Sequence, residues 1–147
     1  MKKAGILHAD LSAVVAGLGH GDLLVIGDAG LPVPPGVRCV DLAVTLGVPR
    51  MLEVLDAVLS EMCVEAAFRA EEAGERSGPS PAKRPGDGLR SPGAEPGTIG
   101  SLIDARVACE LVPHEVFKAR SAEAVAVVRT GEGTAYANVG LVSGVVF

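Results

Sequence analysis

Apolar residues in this chain recur with two periods, one near 3.6 and one near two, and the two alternate along its length. Leu11, Val14, Val15 and Leu18 share one helical face, which predicts a helix whose start Asp10 or Ser12 can cap. Gly19 suits the left-handed position that closes such a helix. Leu23-Leu24-Val25-Ile26 is an unbroken apolar run of buried-strand length, and Asp28-Ala29-Gly30-Leu31-Pro32 turns the chain at its carboxyl end. Pro32, Pro34, Pro35 and Gly36 stiffen the loop beyond. Residues 38–43 read as a strand. Val48-Pro49 opens a helix, with Pro49 near its first position and Met51, Leu52, Leu55, Val58 and Leu59 on its apolar face. Met62, Val64, Ala66, Phe68 and Ala70 then alternate with Cys63, Glu65, Ala67, Arg69 and Glu71. The alternation predicts a strand, although the Ala and Glu content favours a helix.

Residues 74–97 differ in kind. More than half are Gly, Pro or Ser, half of the chain's prolines lie there, and no apolar period survives. That composition predicts a flexible surface insertion. Regular pattern resumes with a short helix over 98–104, a strand over 106–111 and a helix over 113–119. A buried strand over 124–129 comes next, then the turn Thr130-Gly131-Glu132-Gly133. Residues 138–142 and 144–147 supply the last strand material. Strands alternating with helices predict an α/β fold: a layered α/β/α domain over residues 1–147 with a mixed, mostly parallel sheet.

Composition narrows this picture. Nearly half of the 147 residues are apolar, yet the aromatic ones are only three Phe and one Tyr, so Val, Leu, Ala and Ile must build the core. A net charge of −5 with no basic, aromatic-interleaved stripe argues against nucleic-acid binding. No run of 18 apolar residues exists to span a membrane. Met1-Lys2-Lys3 carries the charge of a signal peptide, but His8 and Asp10 leave no sustained apolar core behind it, so a cytoplasmic location is expected. Cys39, Cys63 and Cys109 form no CxxC pair and read as buried, reduced thiols.

The histidines are His8, His20 and His114. His20 lies in Gly19-His20-Gly21-Asp22, and histidine can give and take protons near neutral pH. A lone His-x-Asp is a weak signal for proton transfer, and by itself a solvated turn histidine accounts for it better. Asp28 is a turn aspartate or a ligand-binding one. In open α/β sheets ligands sit beyond the carboxyl ends of strands, which is where Asp28 falls. His20 and Asp28 flank one strand at opposite ends, unless the chain before Leu23 folds back or a neighbouring subunit joins them. Tyr136-Ala137-Asn138 places a phenol and a carboxamide two residues apart, on one face if the segment is extended. Together they could hold a polyol; alternatively Tyr136 is a structural tyrosine. Gly17-x-Gly19-x-Gly21 follows a helix and precedes a strand, the reverse of a dinucleotide site. No HxH or HxxxH spacing points to a metal, and no GxSxG elbow is present.

Several motifs together resemble the D-ribose pyranase family, also described as the high-affinity ribose transport protein D family. They are Met1-Lys2-Lys3-x-Gly5-Ile6-Leu7, Leu18-Gly19-His20-Gly21-Asp22 and Asp28-Ala29-Gly30-Leu31-Pro32-Val33-Pro34. Glu61-Met62-x-Val64-Glu65, Pro113-His114-Glu115-Val116-Phe117-Lys118, Val128-Arg129-Thr130-Gly131-Glu132, Tyr136-Ala137-Asn138 and Gly144-Val145-Val146-Phe147 continue the series. The resemblance implies a sugar isomerase that interconverts the pyranose and furanose forms of D-ribose without cofactor or metal. It implies His20 as proton donor, with Asp22 a candidate orienting partner, and Asp28, His114, Tyr136, Ala137 and Asn138 as substrate-binding residues. It also implies a ring-shaped homo-oligomer, a decamer by analogy, with the sugar at a cleft between subunits. The sister fucose mutarotase family continues its aspartate-alanine pair with His-Phe-Pro; Gly30-Leu31-Pro32 here favours ribose. A non-catalytic ribose-binding subunit of an uptake system would carry the same motifs. His8 stands where relatives often have a small polar residue, and would perturb the site if it lined it.

Overall fold

The predicted alternation of periods becomes an alternation of strands and helices. The computed structural model describes residues 1–73, 99–104 and 106–147; the Gly/Pro-rich insertion expected at 74–97 lies outside the described residues. The strands are β1 (Leu23–Gly27), β2 (Arg38–Asp41), β3 (Val64–Ala70), β4 (Cys109–Val112), β5 (Ala126–Arg129) and β6 (Val139–Ser143). The helices are α1 (Ala9–Gly17), α2 (Met51–Leu59), α3 (Ile99–Asp104) and α4 (His114–Ser121), with a 3-10 turn at Glu71–Ala73. None of these helices is long and apolar enough to cross a membrane.

The strands form one sheet in the order β2-β5-β1-β6-β3-β4. β5 is parallel to β2 and β1, and β4 is parallel to β3. β6 is antiparallel to both β1 and β3. Among the described residues, therefore, β6 is the one reversed strand, and it joins two parallel pieces into a mixed sheet.

Alternation along the central strands builds two cores. Leu24, Ile26, Ala126, Val128, Val139 and Leu141 face one way, against Leu11 and Val14 of α1, the apolar face of α2 and Ile103 of α3. Val25, Val127, Phe68 and Val112 face the other way, against Phe117 of α4 and Leu31. The result is the layered α/β/α arrangement the sequence predicts. In the stretch with conflicting signals, the period of two prevails over helical content. Ala67 and Phe68 are buried on opposite faces of a strand flanked on both sides, and sheet pairing overrides a local preference.

Several local expectations change. His8, rather than Asp10 or Ser12, is the N-cap of α1, its Nδ1 accepting from the Leu11 N–H at 3.3 Å. The helix stops at Gly17 with Leu18 extended, and the left-handed glycine is Gly21 (φ +82°), not Gly19. α2 begins at Met51, where the Glu53 carboxylate accepts from the Arg50 N–H, so Pro49 lies before the helix. β2 stops at Asp41, whose carboxylate accepts from Ala43 N–H and turns the chain out of the sheet. β4 starts only at Cys109, residues 144–147 add no strand, and the cysteines are not buried as expected: Cys39 is exposed and Cys63 and Cys109 are half-buried.

Candidate functional site

At the carboxyl-end edge of the sheet, β1, β5, β3 and β4 deliver their C-termini, and reversed β6 delivers its N-terminus. Asp28, directly after β1, gives its backbone N–H to Asn138 Oδ1 at 2.9 Å. Its own Oδ1 accepts from Gly30 N–H at 2.8 Å, the aspartate turn that Gly- and Pro-bounded aspartates favour. Asn138 is 1% exposed. Gly27 makes this contact sterically admissible, because a Cβ there would fall 2.8 Å from Asn138 Oδ1. Asn138 is thus the buried post on which Asp28 is mounted.

Tyr136 departs from expectation. Its φ is +64°, so residues 136–138 form a turn, and the side chains of Tyr136 and Asn138 do not share an extended face. The turn is tied by Ala137 N–H to Thr134 O at 3.3 Å and Asn138 N–H to Tyr136 O at 2.8 Å. Its upstream arm is fixed by Glu132, whose Oε1 accepts from Gly133 N–H, Thr134 N–H and the Thr134 hydroxyl at 2.8–3.0 Å. The twist swings the Tyr136 ring against His114, edge to face, with centroids 4.8 Å apart and planes at 81°.

His114 occupies the first position of α4 because Pro113 breaks off β4 and, lacking an N–H, opens the helix. Its ring lies parallel to Phe117, and Phe117 meets Phe68 with centroids 5.3 Å apart. Phe68 sits over Gly140, where any Cβ would enter its ring. An aromatic series therefore runs from the sheet to the imidazole. His114 Nδ1 is buried with no hydrogen-bond partner, which leaves Nε2 as the ring nitrogen able to meet a ligand. Arg120 anchors α4 by a two-pronged contact with Glu110 at 2.7 and 3.2 Å. That guanidinium holds the Glu110 carboxyl below its usual range.

Sequence reasoning missed Glu72. Its Oε1 accepts from His114 N–H at 3.2 Å, capping α4 from a separate element where Pro113 offers no side-chain cap. Backbone N–H donors, its own foremost and then that of His114, lower its pKa. Only the fold brings residues 72 and 114 together, so no local signal could have found it.

His20 lies at the opposite edge, before β1, and the structure does not bring it to Asp28 within one chain. Its Nε2 is 2.8 Å from Glu65 Oε2, at the start of β3. The pair is open to solvent, with 61% of the His20 side chain and 42% of that of Glu65 exposed. Asp22, expected beside His20, instead accepts from Gly19 N–H at 2.7 Å and closes the turn. His8 is committed to capping α1. Among the described residues, no three His, Cys, Asp or Glu converge to hold a metal ion.

Comparison with known proteins places this geometry. A model of the RbsD / FucU transport protein family matches residues 1–146. The chain is 53% identical to the D-ribose pyranase of Paracidovorax citrulli over 147 residues, all of both chains. It is 48% identical to that of Variovorax paradoxus over 149 residues, again all of both. It superposes on Bacillus subtilis RbsD complexed with D-ribose with a TM-score of 0.81, 35% identity and full coverage of each chain. With FucU of Bifidobacterium longum the TM-score is 0.65 at 25% identity, over 95% of this chain and 94% of that one.

Proposed function

The chain belongs to the RbsD / FucU transport protein family, and on that premise we propose that it is a D-ribose pyranase. It interconverts the pyranose and furanose forms of D-ribose. The observation that carries this is full-length identity of about half to D-ribose pyranases. The polar corner of Asp28, His114 and Tyr136 beside a buried Asn138 supports the reading.

The chemistry requires the anomeric hydroxyl to lose a proton while the ring oxygen gains one. The C1–O bond opens to an aldehyde, and a different hydroxyl closes on C1. No electrons change hands. Asp28, His114 and Tyr136 hold the sugar hydroxyls, Asn138 and Ala137 shape the turn that presents them, and His20 donates the proton to the ring oxygen. General acid–base catalysis contributes ~10²–10⁴-fold, and fixing the sugar adds to it.

His20 stands at the far edge of its own sheet, so it reaches a sugar held at the Asp28 corner of a second copy. The working enzyme is then a homo-oligomer with each site shared between two chains. Apolar side chains lie open beside that corner: Val44 is 81% exposed and Leu46 56%, and Leu46 borders Gly133 of the Glu132 turn. A neighbour packing there would cover them. The same reading makes the enzyme cytoplasmic.

Saturation-transfer NMR of ribose tests the activity. Magnetisation should pass between pyranose and furanose signals at catalytic amounts of protein. Binding without exchange would make the chain a ribose-binding subunit, and exchange of fucose anomers in preference to ribose would make it a mutarotase. Sedimentation should show an oligomer, and fully active monomers would remove the shared site.

A further inference from the structure

We infer that Glu65 is the positioning residue for His20 and that it leaves Nδ1 as the imidazole nitrogen that passes the proton to the sugar. The inference rests on the isomerase reading and assigns a residue to which that reading gives no part.

Glu65 Oε2 lies 2.8 Å from His20 Nε2. An ionised carboxylate only accepts, so Nε2 carries the hydrogen in this contact. Neutral imidazole has one N–H, which leaves Nδ1 bare. When Nδ1 takes up a proton, the ring becomes a cation with a carboxylate already set against its far side. When the sugar ring opens, Nδ1 gives that proton to the ring oxygen as the C1–O bond breaks. The proton of the anomeric hydroxyl goes to a basic group of the binding corner, Asp28 or His114. The imidazole returns to the tautomer that Glu65 holds, and reclosure runs the transfers in reverse.

The chain builds both sides of the contact. Glu65 is the second residue of β3, and Gly144 faces it: a Cβ on Gly144 would lie 2.9 Å from Glu65 Cβ. Gly144 N–H is itself bonded to Cys63 O at 2.9 Å. On the other side, Gly21 adopts a left-handed backbone and donates to Ser143 O at 2.8 Å, and Asp22 O accepts from Ser143 N–H at the same distance. The end of β6 thus grips the His20 turn and the Glu65 strand together. Asp22 Oδ2 accepts from Gly19 N–H, and the carboxylate that meets the imidazole is that of Glu65. Exposed ion pairs contribute little to folding, so this one should register in turnover instead.

The test compares the full-length wild type with Glu65→Ala, Glu65→Gln and His20→Ala. Glu65→Ala should slow ribose exchange roughly tenfold to a hundredfold, a part of what general acid–base catalysis supplies. Ribose affinity should stay within about twofold and Tm near the wild-type value. Glu65→Gln keeps an acceptor oxygen and should recover part of the exchange. Nitrogen-15 NMR should find the neutral His20 protonated on Nε2 in the wild type and a mixture of tautomers in Glu65→Ala. Unchanged exchange in Glu65→Ala, or a wild-type His20 protonated on Nδ1, would overturn the inference. So would a loss of affinity and Tm that matches the loss of exchange in both variants. If the wild type exchanges no ribose, the isomerase reading fails by itself, and the tautomer measurement still decides whether Glu65 sets the imidazole.

Discussion

At the carboxyl-end edge of the sheet, four residues from three segments are tied to each other. Asp28 hangs on Asn138, and Tyr136 turns its ring onto His114, which rests on Phe117 and Phe68. At the amino-end edge, His20 meets a single carboxylate, with most of its side chain in solvent. The difference fits the two tasks proposed for these edges. Groups that hold a sugar must stand in place before it arrives, because any ordering they undergo on binding subtracts from affinity. A proton donor carried to another molecule's site must project, and it acts when charge moves rather than when the sugar docks.

Removing the projecting group should have the largest effect. His20→Ala should cost ~10²–10⁴-fold in exchange, with ribose affinity nearly unchanged. Exchange at the wild-type rate would move the donor to His114 or a carboxylate and dissolve the contrast between the edges. Asp28→Ala should show the opposite signature, because a carboxylate that holds hydroxyls acts already in the ground state. Calorimetry should find ribose binding weaker by ~1.5–3 kcal/mol, the range for hydrogen bonds to charged groups. Equal losses of affinity in both variants would mean that the two edges do not divide the work.

Gly140→Ala sharpens the comparison from beneath. Its methyl group would enter the Phe68 ring and push on Phe117 and His114. Overpacking of this kind costs about 1–3 kcal/mol, so denaturant unfolding should shift to lower concentration and ribose affinity should fall. A variant as stable and as tight-binding as the wild type would show that the aromatic series supports nothing.

Acid should have the smallest effect. The pKa values of Asp41, Glu72 and Glu110 are lowered, chiefly by hydrogen bonds from Arg129, from backbone N–H groups and from Arg120 respectively. Each folded-state value lies below the unfolded one, so the folded chain binds fewer protons. The stabilisation is complete above the ordinary carboxylate range and fades as pH falls through the lowered values. Tm of the wild type should therefore exceed that of Glu110→Gln at neutral pH and converge on it as pH falls through the lowered carboxyl value. A constant gap would mean that the Glu110–Arg120 clamp adds no stability.

What could be read in the sequence was whatever depends on near neighbours. Alternation from Val64 to Ala70 gave β3 against its own composition, and the run at Leu23 gave β1. Helix and strand ends were harder, because His8 is a rarer cap than Asp10 or Ser12, and two nearby glycines compete for one left-handed position. The resemblance named Asp28, His114 and residues 136–138, and the fold does gather them at one edge. It could not supply the turn at Tyr136, where a non-glycine residue is held left-handed by its surroundings. Nor could it supply the contacts of Glu65, present in one of its motifs, or of Glu72, whose partners lie 45 and 42 residues away. Pairings at that range are decided by strand order, which no local period encodes.

The reversed strand also sets a schedule. β2, β5 and β1 form one parallel piece and β3 and β4 another, and β6 is what joins them. Its first residue follows Asn138, and its last holds the turn of His20. β6 is also the last strand to be synthesised, so the two pieces stay unjoined until residues 139–143 are free to fold. A chain without that strand has two sheet edges with unpaired backbone groups, the kind of surface to which other strands adhere. A released chain ending at residue 138 should therefore be cut by protease far faster than the 147-residue chain. The strand that spaces the Asp28 corner from His20 is thus also the one whose arrival covers both exposed edges.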